Sequence, residues 1–319
     1  MSIQWFPGHM HLTRKAIGER VKEIDVVIEM LDARLPGSSA NPLMAELTSG
    51  RPTLKVLNKQ DMADPVRTAL WLEHYNAQPN TRAIALDASD TAPARALIDA
   101  CFALAPKCGG MVKPMRVLIC GIPNVGKSTL INSLVKKRAA HTGDEAGITR
   151  REQRVVLADD FYLFDTPGML WPKIGVPESG YRLAASGAVG RNAYDEQDVA
   201  MALLAYLREH FGAGLSARYK LPSLDVGNDE ALLAAIGSRR GCLQGKGRVD
   251  LQKAAEIVLT EYRGGLLGRA TLETPDEFSA WKAAADAAEA QRAIDKAAKE
   301  AARKGRAVRT AGPAKPPAQ

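Results

Sequence analysis

Residues 121–128 read Gly-Ile-Pro-Asn-Val-Gly-Lys-Ser, the G-x-x-x-x-G-K-S pattern of a phosphate-binding loop. The apolar run 115–120 before it reads as a buried strand, and residues 128–135 after it read as a helix. A glycine turn between strand and helix lets backbone N–H groups and the helix N-terminus converge on phosphate. In this pattern Lys127 reaches the β- and γ-phosphates and the Ser128 hydroxyl ligates Mg²⁺. A plain glycine turn would not require the Lys-Ser pair. Asn124, Val125, Gly126, Lys127, Ser128 and Thr129 are therefore candidate nucleotide-binding residues.

Strand and helix patterns alternate on both sides of this loop. Apolar runs at 25–31, 53–57, 82–86 and 115–120 predict strands, with a strand pair at 153–157 and 161–164. Helices are predicted over 12–24, with Ala16, Val21 and Ile24 on the inward face, and over 41–47, 64–75 and 94–104. Asn41-Pro42 and Asp64-Pro65 are cap-then-proline starts. Such alternation implies a mostly parallel, doubly wound α/β sheet, in which ligands bind beyond the carboxyl ends of the strands. From about residue 178 the pattern becomes all-helical, with a core-facing stripe of Leu251, Ala255, Val258 and Tyr262. The expected domains are 1–177, a nucleotide-binding α/β domain; 178–275, a small all-α domain; and 276–319, a basic Ala/Lys-rich tail. With few large apolar anchors, 276–304 is expected to be a lone helix ordered on a partner.

Two further motifs sit at strand ends. Asn58-Lys59-Gln60-Asp61 fits N-K-x-D. One carboxylate, Asp61, can accept both the N1–H and N2–H₂ donors of guanine, whereas adenine would leave it unpaired. Asn58 would hold the base edge and loop, and the Lys59 stem would pack over the ring. The turn Asp87-Ala88-Ser89 would supply the second base loop. Asp165-Thr-Pro-Gly168 fits D-x-x-G, with Asp165 holding Mg²⁺ through water and the Gly168 N–H sensing the γ-phosphate. Thr149 is the candidate switch threonine that completes the Mg²⁺ shell, and Arg150 and Arg151 beside it read as a solvated pair. In Ras-like GTPases the phosphate loop comes first; here N-K-x-D precedes it, which implies a circular permutation. The D-x-x-G switch then leads directly into the helical domain.

Gln4-Trp-Phe-Pro-Gly-His-Met10, Asp32-Ala-Arg-Leu-Pro36, the permuted motif order and residues 121–129 together resemble the ribosome biogenesis GTPase A (YlqF-type) family over about residues 1–275. The resemblance implies a circularly permuted P-loop GTPase that binds GTP and GDP. It implies action late in large-subunit assembly, with the subunit precursor, rRNA and ribosomal proteins as partners. Asp87-Ala88 departs from the polar Asn-Ser that similar proteins carry, so side-chain roles there are in doubt. Met169 stands where Ras-like enzymes place a water-orienting glutamine, and a thioether cannot orient water. The family's N-terminal histidine makes His9 the candidate catalytic group, and Asn124 matches a K⁺ ligand of related potassium-dependent GTPases.

Charge adds a location. The net charge is +7, and from Lys296 onward seven cations face one acid, so +6 of it lies in the tail. A basic arm on a nearly neutral body suggests a polyanionic partner, as does the glycine loop 239–248. Four cysteines without C-x-x-C spacing, no apolar run of about 18 residues and no signal-peptide pattern predict a cytoplasmic monomer without a membrane span or structural metal. Alternative readings are an RNA-modification-linked GTPase and a nucleotide-gated RNA-binding module with little turnover, which Met169 permits.

Overall fold

The computed structural model of the protein describes residues 3–6, 9–87, 93–108, 113–142, 153–158 and 160–310. Six strands, β1 (Val26–Asp32), β2 (Thr53–Asn58), β3 (Thr81–Ala85), β4 (Met115–Gly121), β5 (Gln153–Ala158) and β6 (Phe161–Asp165), form one sheet in the order β3-β2-β1-β4-β6-β5. All neighbours are parallel except β5 and β6. The central strands are covered on both faces, which is why β1 is buried at every position and β4 at all but Arg116. Strand order reverses between β1 and β4, so the loops leaving their carboxyl ends face one crevice. The strand that carries the phosphate loop, β4, lies at the centre of the sheet although three strands precede it in the chain, in keeping with the permuted motif order.

Helices α1 (His9–Arg20), α2 (Pro36–Ser39), α3 (Pro42–Leu47), α4 (Pro65–Asn76), α5 (Pro93–Leu104) and α6 (Lys127–Thr142) accompany the sheet. Asn41 Oδ1 accepts from Leu43 N at 3.0 Å and Asp64 Oδ1 from Arg67 N at 2.8 Å, as the cap-then-proline pattern predicts. Of the predicted inward face of the first helix, Val21 and Ile24 are buried, whereas Ala16 is exposed and Ile17 is buried instead. The short helix α2, which the sequence patterns do not predict, is fully buried.

The remainder is helical: α7 (Pro177–Ser186), α8 (Glu196–His210), α9 (Gly212–Tyr219), α10 (Asp229–Arg239), α11 (Leu251–Arg263) and α12 (Pro275–Thr310). Helix α8 buries Val199, Ala200, Leu203, Leu204 and Leu207 against α11, which contributes Ala255, Val258 and Tyr262 of the predicted stripe. One hydrophobic cluster runs unbroken from the sheet into these helices. The N-terminal segment is tied down just ahead of α7. Gln4 exchanges hydrogen bonds with the backbone of Ile174 (3.0 and 2.9 Å).

The expectation for α12 is corrected. A capping box starts it: Thr274 N donates to Glu277 Oε2 (2.7 Å) and Glu277 N donates to Thr274 Oγ1 (3.2 Å). Phe278 packs on Trp71 with ring centroids 6.0 Å apart, and Arg182 lies 4.0 Å from the Trp281 ring centroid. The chain therefore anchors the first two turns itself. Beyond them the helix is almost wholly exposed as far as residue 299, and Lys173 donates to Glu289 at 2.5 Å.

Candidate nucleotide site

The crevice between β1 and β4 collects the sequence motifs. The phosphate loop follows β4, and α6 begins at Lys127 with no acid in its first turn, leaving its N-terminal N–H groups free of a competing carboxylate. Gly126 has φ +98°, and a Cβ on it would lie 2.2 Å from Asn58 Nδ2. Glycine is required there by both backbone and space. Gly126→Ala is expected to disrupt this loop and lower GDP affinity at least tenfold, checked by fluorescent-nucleotide titration, with the fold retained by circular dichroism. Lys127 Nζ donates to Asp165 Oδ1, so the loop's ammonium and the D-x-x-G carboxylate meet in one buried spot. Ser128 and Thr129 are exposed on the first turn of α6.

The D-x-x-G segment is strapped to the strand beneath it. Thr166 N and Oγ1 both donate to Ile119 O (3.2 and 2.9 Å), and Met169 N donates to Gly121 O (3.1 Å). A Cβ on Gly168 would lie 3.0 Å from Pro123 Cα, so this glycine permits the close approach. Met169 is 2% exposed, and its carbonyl accepts from Asn41 Nδ2 at 2.8 Å. Its side chain belongs to the core.

The base-reading motif is tied to the phosphate loop. Asn58 Nδ2 donates to Val125 O (2.7 Å), and Lys59 Nζ donates to Asn124 O (3.0 Å) and Asp32 Oδ2 (2.8 Å). Lys59 and Asn124 both adopt left-handed backbone, φ 62° and 59°. Such conformations cost free energy in non-glycine residues and cluster at functional sites. Asp61 is exposed, in a single 3₁₀ turn. Gln60 N donates to Leu86 O (3.3 Å), which brings half-buried Asp87 beside the motif. Arg269 clamps the same turn from below through Gln60 O (3.0 Å) and Ala63 O (2.8 Å). His9 opens α1, but its side chain lies outside the described residues, as do Ala88, Thr149, Arg150 and Arg151.

Sequence reasoning missed Asp32 and Arg34, each 1% exposed. The Arg34 guanidinium grips both Asp32 oxygens (2.9 and 2.8 Å) and donates to Tyr262 O at 3.0 Å, at the end of α11. Burial raises the Asp32 carboxyl's pKa, but Arg34 and Lys59 outweigh it and hold the group well below the usual carboxylate range. Arg263 continues the chain of contacts to Ala184 O and Ala185 O (both 2.9 Å), the end of α7. Asn124 Nδ2 donates to Gly187 O (2.7 Å), just past α7. A closed circuit of hydrogen bonds thus runs from the phosphate loop through Lys59, Asp32 and Arg34 to the ends of α11 and α7, and back to Asn124.

Against this circuit lies a cavity of about 500 Å³, whose wall includes Lys59, Asn124, Gly187, Arg191 and Trp5. Its lining carries four cations (Arg34, Lys59, Arg191, Arg263) and no acid, which suits an anion. A cavity of about 650 Å³ between α7 and α8 is mostly apolar and holds none of the motif residues. In the basic loop 239–248, Arg240 is already committed: it pairs with Glu261, which also receives both Arg218 donors (3.0 and 2.9 Å).

The sequence profile described as 50S ribosome-binding GTPase matches residues 116–211. Ribosome biogenesis GTPase A of Bacillus cereus is 45% identical over 285 residues, covering 87% of this chain and 96% of that one. The chain belongs to the ribosome biogenesis GTPase A family. The Priestia megaterium member is 42% identical, over 87% and 98% of the two chains. The GDP-bound structure titled TM YlqF shares the fold, with a TM-score of 0.61 at 24% identity over 82% of this chain and 99% of that one. Family membership makes the chain a guanine-nucleotide-binding GTPase with the permuted fold. Among the described residues no helix is long and apolar enough to cross a membrane.

Proposed function

We propose that the protein is a GTP-switched assembly factor of the large ribosomal subunit. In this reading it binds the subunit precursor through rRNA and ribosomal proteins in its GTP form and leaves after hydrolysis. One observation carries the reading. The guanine motif, phosphate loop and helical part meet in one hydrogen-bonded circuit, so nucleotide state and partner-binding helices are mechanically joined. The names of its relatives, a 50S ribosome-binding GTPase profile and ribosome biogenesis GTPase A, support the ribosomal partner.

The residues fit a nucleotide with its metal: a buried ammonium and carboxylate face each other at Lys127 and Asp165, beside an acid-free helix start. Asp61 reads guanine, with Asn58 and Lys59 fixing its loop and Asp87-Ala88 closing the base side. Val125, Gly126, Lys127, Ser128, Thr129 and Gly168 surround the phosphates. Ser128 and Asp165, with Thr149, are the residues to hold Mg²⁺, which when bound neutralises charge on the β- and γ-phosphates. Asn124 is the residue to hold K⁺. The Asn124 amide donates its N–H to Gly187 O, which leaves its Oδ1 as the acceptor face toward a cation.

Met169 lies in the core, so the hydrolytic water needs another partner. His9 is the assigned group, with completion by the ribosomal particle. The expected outcome is slow GTP hydrolysis by the free protein. Added large subunits raise it at least tenfold, more in K⁺ than in Na⁺ buffer, and His9→Ala removes most of the stimulated rate. Phosphate release assays test this. A rate unaffected by subunits would leave the nucleotide-gated binding module as the better reading.

A further inference from the structure

The distal part of α12 carries a feature the nucleotide site does not use. Arg292, Lys296 and Lys299 are exposed, and positions 303 and 306, both arginine, continue the same spacing along the helix backbone. The steps are four, three, four and three residues. At 3.6 residues per turn, all five positions fall within an arc of about 80° and span about 21 Å of helix. No acid lies on that stripe; Glu289, Asp295 and Glu300 flank it. The opposite face holds Ala287, Ala290, Ile294, Ala297, Ala301 and Val308.

As far as residue 299 the described side chains of this stretch are exposed, and its sequence explains why it is a helix all the same. Alanine, lysine, arginine, glutamine and glutamate are strong helix formers. Same-face i,i+4 contacts add support: Lys282 to Asp286 at 2.7 Å and Gln291 to Asp295 at 2.9 Å. A rigid rod with a single-sign stripe presents charges at fixed spacing, which a flexible basic tail does not.

We infer that the α12 stripe is a docking surface for the phosphate backbone of double-helical RNA. The inference rests on the ribosomal reading above only for the polyanion being RNA. Charge selects a polyanion. The face opposite the stripe argues against a lipid surface, because interfacial helices bury large anchors such as Trp, Phe or Leu there. Here that face is alanine apart from Ile294, which is 62% exposed, Gly305 and Val308. Five cations in line with no aromatic among them match phosphate tracking and offer nothing for stacking on unpaired bases. The binding is therefore sequence-independent and strongly dependent on salt.

The test compares two full-length variants that lose equal charge. Arg292→Gln/Lys296→Gln/Lys299→Gln removes three cations from the stripe. Lys282→Gln/Lys304→Gln/Arg309→Gln removes three from outside it. Glutamine keeps helix propensity, and circular dichroism checks helicity. Fluorescence anisotropy follows binding to an RNA duplex of about 20 base pairs at several salt concentrations. The stripe variant is expected to lower the log–log salt slope by roughly 2–3 and affinity at about 0.1 M salt by at least tenfold, with the control near wild type. Equal losses in both variants, or no loss in either, would overturn the assignment. So would tighter binding of the wild type to anionic phospholipid vesicles than to the duplex. GTP hydrolysis and large-subunit sedimentation are measured on the same samples. If the wild type failed to sediment with subunits while the duplex results held, the ribosomal reading would fall and the stripe would stand.

Discussion

Asp61→Asn is expected to lose GTP and GDP affinity by roughly 10²- to 10⁴-fold and to gain affinity for xanthine nucleotides. The carboxylate accepts from both guanine N1–H and N2–H₂; an asparagine amide offers one acceptor and sets its own N–H₂ against the second donor. Xanthine carries a carbonyl where guanine carries that amine, so the new N–H₂ finds an acceptor. The structure makes this a clean measurement. Asp61 is exposed, and its turn is held through backbone atoms by Arg269 and Leu86. The substitution is therefore expected to change folding stability by no more than about 0.5 kcal/mol. Titration of the variant with fluorescent GDP and XDP decides the matter: a similar fall for both nucleotides would remove Asp61 from the base-reading role.

The sequence nominates that residue because the chemistry of its motif is local. N-K-x-D, G-x-x-x-x-G-K-S and D-x-x-G each compress one ligand contact into four to eight residues, and the apolar runs of β2, β4 and β6 place them at strand ends. The permutation was legible from order alone, and the strand sequence follows it. What stayed hidden depends on partners far along the chain. Arg34 donates to a carbonyl 228 positions away, and Arg269 to one 209 positions away. Main-chain acceptors leave no trace in residue identity. The pair Asp32-x-Arg34 therefore carries no site signal of its own in the sequence, although burial makes it the joint between the motifs and the helical part. Arg240 illustrates the converse: composition put it in a basic loop, and Glu261 takes it for structure. The start of α12 is legible in the sequence, since Thr274-x-x-Glu277 is a capping signature and Phe278 and Trp281 supply anchors.

Arg34→Ala is expected to destabilise the fold by about 3–5 kcal/mol. The guanidinium donates to both oxygens of a buried carboxylate and to a helix-end carbonyl, so its removal strands the carbonyl and leaves the carboxylate only Lys59 Nζ and the backbone N–H of residue 34. Its position over the Tyr262 ring, 4.8 Å from the centroid, adds lost packing. Acid sensitivity follows from the same pair. Asp32 has a folded-state pKa below its unfolded value, so as pH falls the unfolded chain takes up the proton first. Wild-type stability from this group is full above the usual carboxylate pKa and declines as pH falls toward the depressed one. Without Arg34 the depression shrinks, and the variant has less of this contribution to lose. Urea unfolding at pH 7 and about pH 3 should therefore show the wild type and variant closer together in acid. Stability and nucleotide binding can then be separated with Asp32→Leu/Arg34→Met. Replacing a buried ion pair with apolar groups of similar size is often neutral, so much of the lost stability returns. Lys59 then loses the carboxylate that fixes its ammonium against Asn124, and GDP affinity stays below wild type. Full recovery of both stability and affinity in the double variant would reduce Asp32 and Arg34 to packing, and the circuit between the base motif and the ends of α7 and α11 would carry no nucleotide signal.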